Sequence, residues 1–268
     1  MTIRRPIQPS TSLVLGILSV LVLLGAYTGL AWRQERQNPD DTTIPRWGQL
    51  AKGFTSTVEV NRRSNDRWLV ADSIASAKRL FSGLFFGVLG GLLIGLAMGC
   101  LTPVEACLSP PMSLLAKIPP TAALAVFFVL VGTGDGMYVA MIAIGILPAL
   151  AVGVHLAVRE FPDELLYKAY TLGASPLEIV WTVIFPQVLP KFIDAVRLSI
   201  GPAMVYLIAA EMVVGDVGFG YRIRLQSKLL NMSVVYPYLA VLAAFGFVMD
   251  YLLRQLQRRL CPWFEGGR

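Results

Sequence analysis

The chain has 268 residues, 55% hydrophobic and only 15% charged, with a formal net charge of +6 and a mean hydropathy of +0.63. Soluble domains carry nearer one quarter charged residues, so a soluble enzyme domain is excluded and most of the chain is expected in spans of about 20 residues. The basic residues cluster at span ends without interleaved aromatics, which ties the charge excess to membrane orientation and lipid and excludes a nucleic-acid partner.

Arg4 and Arg5 precede an apolar run from Leu13 to Trp32. That run is longer than a signal-peptide core and no Ala-x-Ala site follows it. Residues 1–11 therefore read as a cytoplasmic N-terminus and 12–32 as a retained first span. The stretch 33–67 holds Asn38-Pro39-Asp40-Asp41 and Asn61-Arg62-Arg63-Ser64-Asn65-Asp66, too polar for lipid. It reads as a periplasmic segment with a short amphipathic helix around 47–58. A core follows over 68–268, in which Trp68–Arg79 leads into a second span at 80–101. Lys117-Ile118-Pro119-Pro120 interrupts the next apolar region, so a third span at 121–131 is expected to be kinked and packed inside the bundle. A glycine-rich turn at 132–136 precedes a fourth span at 137–158. After the charged segment 159–190 come a fifth span at 196–214 and a sixth at 234–254. The fold class is an all-α polytopic membrane protein of about six transmembrane helices. From a cytoplasmic N-terminus this even count returns the C-terminus, with Arg254, Arg258 and Arg259, to the cytoplasm. The outer segments also carry Arg62, Arg63, Arg67, Arg222, Arg224 and Lys228, partly offset by acids at 35, 40, 41, 59, 66 and 216.

Gly83, Gly87, Gly91, Gly95 and Gly99 recur every four residues through the second span, on one slowly winding helix face. Small residues at this spacing let two backbones approach closely in lipid, and a face of low relief also suits sliding during a transport cycle. Glu211 ends the run Leu207-Ile208-Ala209-Ala210. A carboxylate there is either paired with an arginine or helix end, or it is the counter-ion of a cationic solute; for an anionic solute, Arg222 or Arg224 would serve. Pro119 and Tyr206 complete the residues expected along a substrate pathway or gate. Asp194 and Arg197, three apart, can pair on one helix face, and Asp250 lies close to Arg254. His155 is the only histidine, and Cys100, Cys107 and Cys261 show no metal-ligand spacing, so no metal site is expected and the thiols read as unpaired. There is no Gly-x4-Gly-Lys-Ser/Thr phosphate loop, no Gly-x-Ser-x-Gly and no His-Glu-x-x-His. The chain is read as non-catalytic.

The segment 159–190 is charged and structured where a simple reversal of direction would need only a few polar residues. Asp163 and Glu164 open a short helical pattern, Gly173-Ala174-Ser175-Pro176 breaks it, and a second pattern is expected to end at Pro186 and Pro190. It reads as a surface element held by another protein. It resembles the cytoplasmic coupling loop of ABC importer permeases, whose pattern runs Glu-Ala-Ala, three residues, Gly, nine residues, Ile, one residue, Leu-Pro. Ala169, Gly173 and Pro186 match; Tyr167 and Lys168 stand for Glu and the first Ala, and Val183 and Phe185 for Ile and Leu. The likeness runs from about Trp68 onward. It is nearest to the nitrate/sulfonate/taurine permeases in Leu-Gly-Ala-Ser at 172–175, Ala-Ala-Glu at 209–211 and the Leu-Gln-Arg-Arg-Leu-Cys-Pro-Trp tail at 256–263.

The resemblance implies a type I ABC importer permease in the bacterial inner membrane, working by alternating access. It implies ABC ATPase subunits docked on a coupling helix at about 159–176, through Asp163, Glu164, Tyr167, Lys168, Ala169, Gly173, Ala174, Ser175 and Pro186. It further implies ATP and Mg on those ATPases with no cofactor on this chain, a second permease copy, and a periplasmic or lipid-anchored solute-binding protein. The implied solute is a small anion such as nitrate, bicarbonate, taurine or another sulfonate, with a urea- or guanidine-like nitrogen compound as the alternative. An ion-coupled secondary transporter is the rival from another class. It would need intramembrane ionisable relays and an inverted repeat, neither of which stands out in the sequence.

Overall fold

The computed structural model describes residues 8–37, 43–60 and 67–264. The start of the expected cytoplasmic N-terminus and the motifs at 38–41 and 61–66 lie outside the described residues. The contacts divide the chain into two units, one drawn from Met1–Arg67 and Leu225–Pro237, the other from Trp68–Arg224 and Tyr238–Arg268.

In the first unit, α1 (Pro9–Gln37) is apolar along its length, with Leu13, Leu21 and Leu23 exposed as a lipid-facing span requires. α2 (Trp47–Val58) is the amphipathic helix expected from the sequence. Tyr27 of α1 donates to the Pro45 carbonyl at 2.6 Å, and its ring meets Trp47 edge-on at 5.3 Å. Gly53 lies against Ser233, whose carbonyl oxygen leaves no room for a Cβ at that position.

The second unit is built on α3 (Trp68–Cys100) and α6 (Asp135–Arg159). The glycine row of α3 finds its partner here: Gly83, Gly87, Gly91, Gly95 and Gly99 face Ile142, Ile146, Leu150, Val154 and Val158 in that order. A Cβ at Gly91 would lie 2.7 Å from the Leu150 Cβ, and one at Gly99 2.5 Å from the Val158 Cβ. The absent side chains are therefore the room in which the branched row of α6 sits. Both numberings rise together, so α3 and α6 run parallel, and the chain between them must return across the bundle.

That return is not the single kinked third span expected at 121–131. It consists of α4 (Thr102–Leu115), an irregular stretch through Pro119 and Pro120, and α5 (Leu124–Val131). At 1.5 Å per residue α5 spans about 12 Å, too short for about 30 Å of hydrocarbon. Although neither short helix has a fully buried residue within the chain, Leu124 and Phe127 of α5 pack against the core and Pro120 is buried, and the helix is broken at 116–123. Proline supplies the reason: it withholds a donor and blocks the preceding residue from α geometry.

The fifth span is longer than expected. After α7 (Asp163–Thr171) the chain is helical without interruption over Pro176–Val214, as α8 (Pro176–Glu178), a π segment (Ile179–Ile184) and α9 (Phe185–Val214). The helix does not end at Pro186 and Pro190. Pro186 lies in the first turn of α9, and just before it Phe185 donates to Val180, five residues back. The wider π turn makes room for the proline ring where an α turn would clash. This rod is about 58 Å long, nearly twice the hydrocarbon thickness, so one end must project from the bilayer.

α9 runs antiparallel to α3 and α6. Ala203, Leu207 and Ala210 pack with Leu80, Leu84, Tyr138 and Met141 at one end, and Ile184, Val188 and Phe192 with Leu96, Val154 and Val158 at the other. α10 (Phe219–Lys228) and α11 (Met232–Leu260) complete the chain. α11 returns along α9 through Arg197–Asp250 at 2.9 Å and Gln257 donating to the Pro190 carbonyl at 3.0 Å. Five helices among the described residues are long and apolar enough to cross a membrane: α1, α3, α6, the Pro176–Val214 rod and α11. The broken return through α4 and α5 is the remaining traverse. The bundle thus has a coupling end, where α3, α6 and α11 finish, and a far end, where α9 finishes.

Candidate functional site

At the coupling end, α7 begins after Pro162 and carries Asp163 and Glu164 in its first turn and Lys168 in its last, matching the helix dipole at both ends. It ends in a Schellman turn: Gly173 donates to the Tyr170 carbonyl at 2.9 Å and Ala174 to the Ala169 carbonyl at 3.1 Å. This turn needs a left-handed residue, and Gly173 has φ +83°. Ser175 then caps the next helix. Its backbone N–H donates to Glu178 Oε2 at 2.8 Å, its hydroxyl accepts from the Glu178 N–H at 3.4 Å, and Pro176 occupies the first turn.

Ala169 and Ala174 pack against the core cluster of Val154, Val158 and Ile179, while Pro186 is half-buried. Asp163, Glu164, Tyr167, Lys168, Gly173 and Ser175 are exposed. So are Tyr170, Leu172, Leu177 and Trp181, with Leu172 87% exposed. The segment thus presents apolar and charged side chains together on one exposed surface.

The far end holds an opposite arrangement. Glu211 and Asp72 are both fully buried. Glu211 Oε1 accepts from the Ser76 hydroxyl at 2.8 Å and from Arg79 at 3.1 Å, and its Oε2 accepts from the Gly220 N–H at 2.9 Å. Arg79 also reaches Asp135 at 2.8 Å and the Val217 carbonyl at 2.8 Å, and lies over the Tyr138 ring. Asp72 accepts from Arg222 at 2.8 Å, the Tyr238 hydroxyl at 2.7 Å and the Gly218 N–H at 2.9 Å. Burial works against the charge on Arg222, but the hydrogen bond and charge of Asp72 outweigh it and raise the guanidinium pKa further. The segment 215–220 is thus clamped by two carboxylates. Gly218, with φ +122°, is the position where a Cβ would collide with Glu211 Oε1.

The substrate-pathway residues named from sequence are not brought to one place. Glu211 and Arg222 belong to this clamp. Arg224 donates to the carbonyls of Met212 and Val213, at the end of α9. Tyr206 and Pro120 pack together against Gly145, and Pro119 is exposed beside them in the chain. Sequence reasoning missed Asp72, Ser76, Arg79 and Tyr238. The first three did leave a signal, a polar stripe at helical spacing on the lead-in to the second span. The chain's only histidine also has a partner that sequence did not supply: His155 Nε2 lies 3.5 Å from Glu105, which also pairs with Arg159. Among the described residues no group of His, Cys, Asp and Glu is disposed to hold a metal ion.

A family model described as "Binding-protein-dependent transport system inner membrane component" matches residues 87–261. The taurine transport system permease protein TauC of Escherichia coli (strain K12) is 32% identical over 189 residues, covering 70% of this chain and 69% of that protein. The putative aliphatic sulfonates transport permease protein SsuC of Bacillus subtilis (strain 168) is 27% identical over 194 residues, covering 71% of this chain and 70% of that one. Among solved structures, a chain of the MetNI methionine ABC transporter in inward-facing conformations matches with a TM-score of 0.65 at 22% identity, covering 72% of this chain and 96% of that chain. That last likeness speaks to the fold alone. The exposed charged segment, the parallel glycine-packed pair and the broken return crossing therefore sit in a chain that belongs to the family of binding-protein-dependent transport system inner membrane components, the multi-pass permease subunits of ABC importers.

Proposed function

We propose that this chain forms the translocation pathway of an ATP-driven importer for a small anion, of the taurine, sulfonate, nitrate or bicarbonate kind, working by alternating access. ATP and Mg are handled by ATPase subunits docked on α7, and solute is delivered by a binding protein on the far side. Both termini lie in the cytoplasm, with the coupling end. The observation that carries this reading is α7 with its Schellman turn at Gly173: a short charged helix, exposed and apolar at Tyr170 and Leu172, joined to a rod that continues into the bundle. Movement of α7 passes to this rod through the single tight turn at 172–175.

A second feature supports a pathway beside α4 and α5. Pro120 packs on Gly145, midway along α6, so the irregular backbone at 116–123 lies at mid-bundle depth. Backbone that departs from a regular helix at that depth is tolerated only against protein or water. A second permease copy with a solute pathway between the two, near Pro119 and Tyr206, meets that requirement. Glu211, Arg222 and Arg224 are assigned to holding the far end together, since each is already engaged within the chain.

The test is Gly173→Asp, with uptake and co-purification of the ATPase measured in the same cells. The substitution adds bulk and charge where the ATPase groove is proposed to close. The variant should reach the membrane, lose its ATPase and lose uptake. A variant that keeps both its ATPase and its uptake would remove the coupling assignment.

A further inference from the structure

We propose that a cavity between the coupling-end parts of α9 and α11 binds the singly charged phosphate group of an anionic phospholipid. The cavity has a volume of about 190 Å³ and is lined by Asp194, Arg197, Arg254, Gln257, Arg258, Cys261 and Phe264. Arg197 is mostly buried and is held by Asp194 at 2.6 Å and Asp250 at 2.9 Å; Arg254 pairs with Asp250 at 2.9 Å. These three arginines and two aspartates leave one positive charge in excess, on Arg258. Among the described residues no carboxylate lies within ion-pair distance of Arg258. The site therefore suits a monoanion, and the planar guanidinium suits a phosphate through paired N–H donors.

Depth selects the lipid over a free phosphate as the source. Arg197 lies about 26 Å along α9 from its far end at Val214, and Arg254 about 33 Å along α11 from Met232. Both figures fall at the boundary of a hydrocarbon layer about 30 Å thick. Tyr251 is exposed near this level, as aromatic residues of the interface commonly are. Leu198, Val248 and Leu252 are exposed on the same two helices and offer apolar surface to acyl chains. Basic pockets between transmembrane helices at the cytoplasmic interface are where anionic headgroups collect.

The experiment uses the full chain purified with its ATPase and native mass spectrometry of retained lipid, after equilibration with phosphatidylglycerol or phosphatidylcholine. Wild type should retain phosphatidylglycerol in preference to phosphatidylcholine, and millimolar inorganic phosphate should not displace it. Arg258→Gln should lower that retention roughly fivefold. Arg258→Lys, which keeps the charge, should restore most of it. Arg259→Gln, outside the cavity lining, should leave retention unchanged. The proposal is overturned if Arg259→Gln matches Arg258→Gln, if phosphatidylcholine is retained equally, or if Arg258→Gln retains lipid as wild type does. Displacement by inorganic phosphate would overturn the lipid source and leave a phosphate site.

Discussion

The two ends of the bundle treat charge in opposite ways. At the far end, Asp72 and Glu211 are fully buried, and their acceptors are met by Ser76, Arg79, Arg222, Tyr238 and the N–H groups of Gly218 and Gly220, all from this chain. At the coupling end, Asp163, Glu164 and Lys168 stand in the open beside exposed Tyr170, Leu172 and Trp181. A buried polar network that is complete within one chain holds that chain's own shape. A surface of exposed apolar and charged groups has no such internal partners, which is why the docking of another protein is proposed there. Of the basic residues that weigh against the expected orientation, Arg222 is neutralised by buried Asp72 and so counts for little.

The largest effect expected from disturbing this contrast is at Glu211. Glu211→Ala leaves Arg79 without one of its two carboxylates and orphans the Gly220 N–H in a buried site, at a cost of about 3–5 kcal/mol. The measured outcome should be little protein in the membrane, or a sharply lower Tm in detergent. Full yield and an unchanged Tm would mean that the far-end network does not hold the fold.

The two left-handed glycines separate the ends further. Gly218→Ala meets both an unfavourable φ and a collision with Glu211 Oε1, whereas Gly173→Ala meets only the φ, with nothing within 4 Å of its Cβ. Strain alone costs about 1–2 kcal/mol. Thermal unfolding of the two variants side by side should therefore show Gly218→Ala clearly the less stable. Equal losses would count against the clamp geometry. The smallest effect on stability belongs to Leu172→Ser, because that side chain is almost wholly exposed. Its Tm should match wild type while uptake and ATPase co-purification fall, a separation the far-end variants should not show.

Much of the coupling segment is legible in its residues. Ser175 with Glu178 three residues on is a capping box that spacing alone displays, and a glycine between a charged helix and that cap implies a left-handed turn. The expected stop at Pro186 and Pro190 failed because a π turn absorbed the first proline, a relief that depends on helix geometry rather than residue type. The third span failed for a related reason. Its apolar run reads as a crossing, yet only the parallel pairing of α3 and α6 shows that the crossing there must be assembled from two short helices.

Composition, periodicity and backbone preference are enough to say where apolar surface is long enough to span lipid, which helix face is small enough for close approach, and where the short charged helix α7 begins and turns. Each of these is a local property, readable from a window of neighbouring residues. Only the packed bundle decides which branched residues fill the glycine row, that Asp72 and Glu211 face arginines remote in sequence, and that three arginines of α9 and α11 meet around one cavity. Those pairings depend on the direction and register in which helices pack, which chain-local chemistry does not encode.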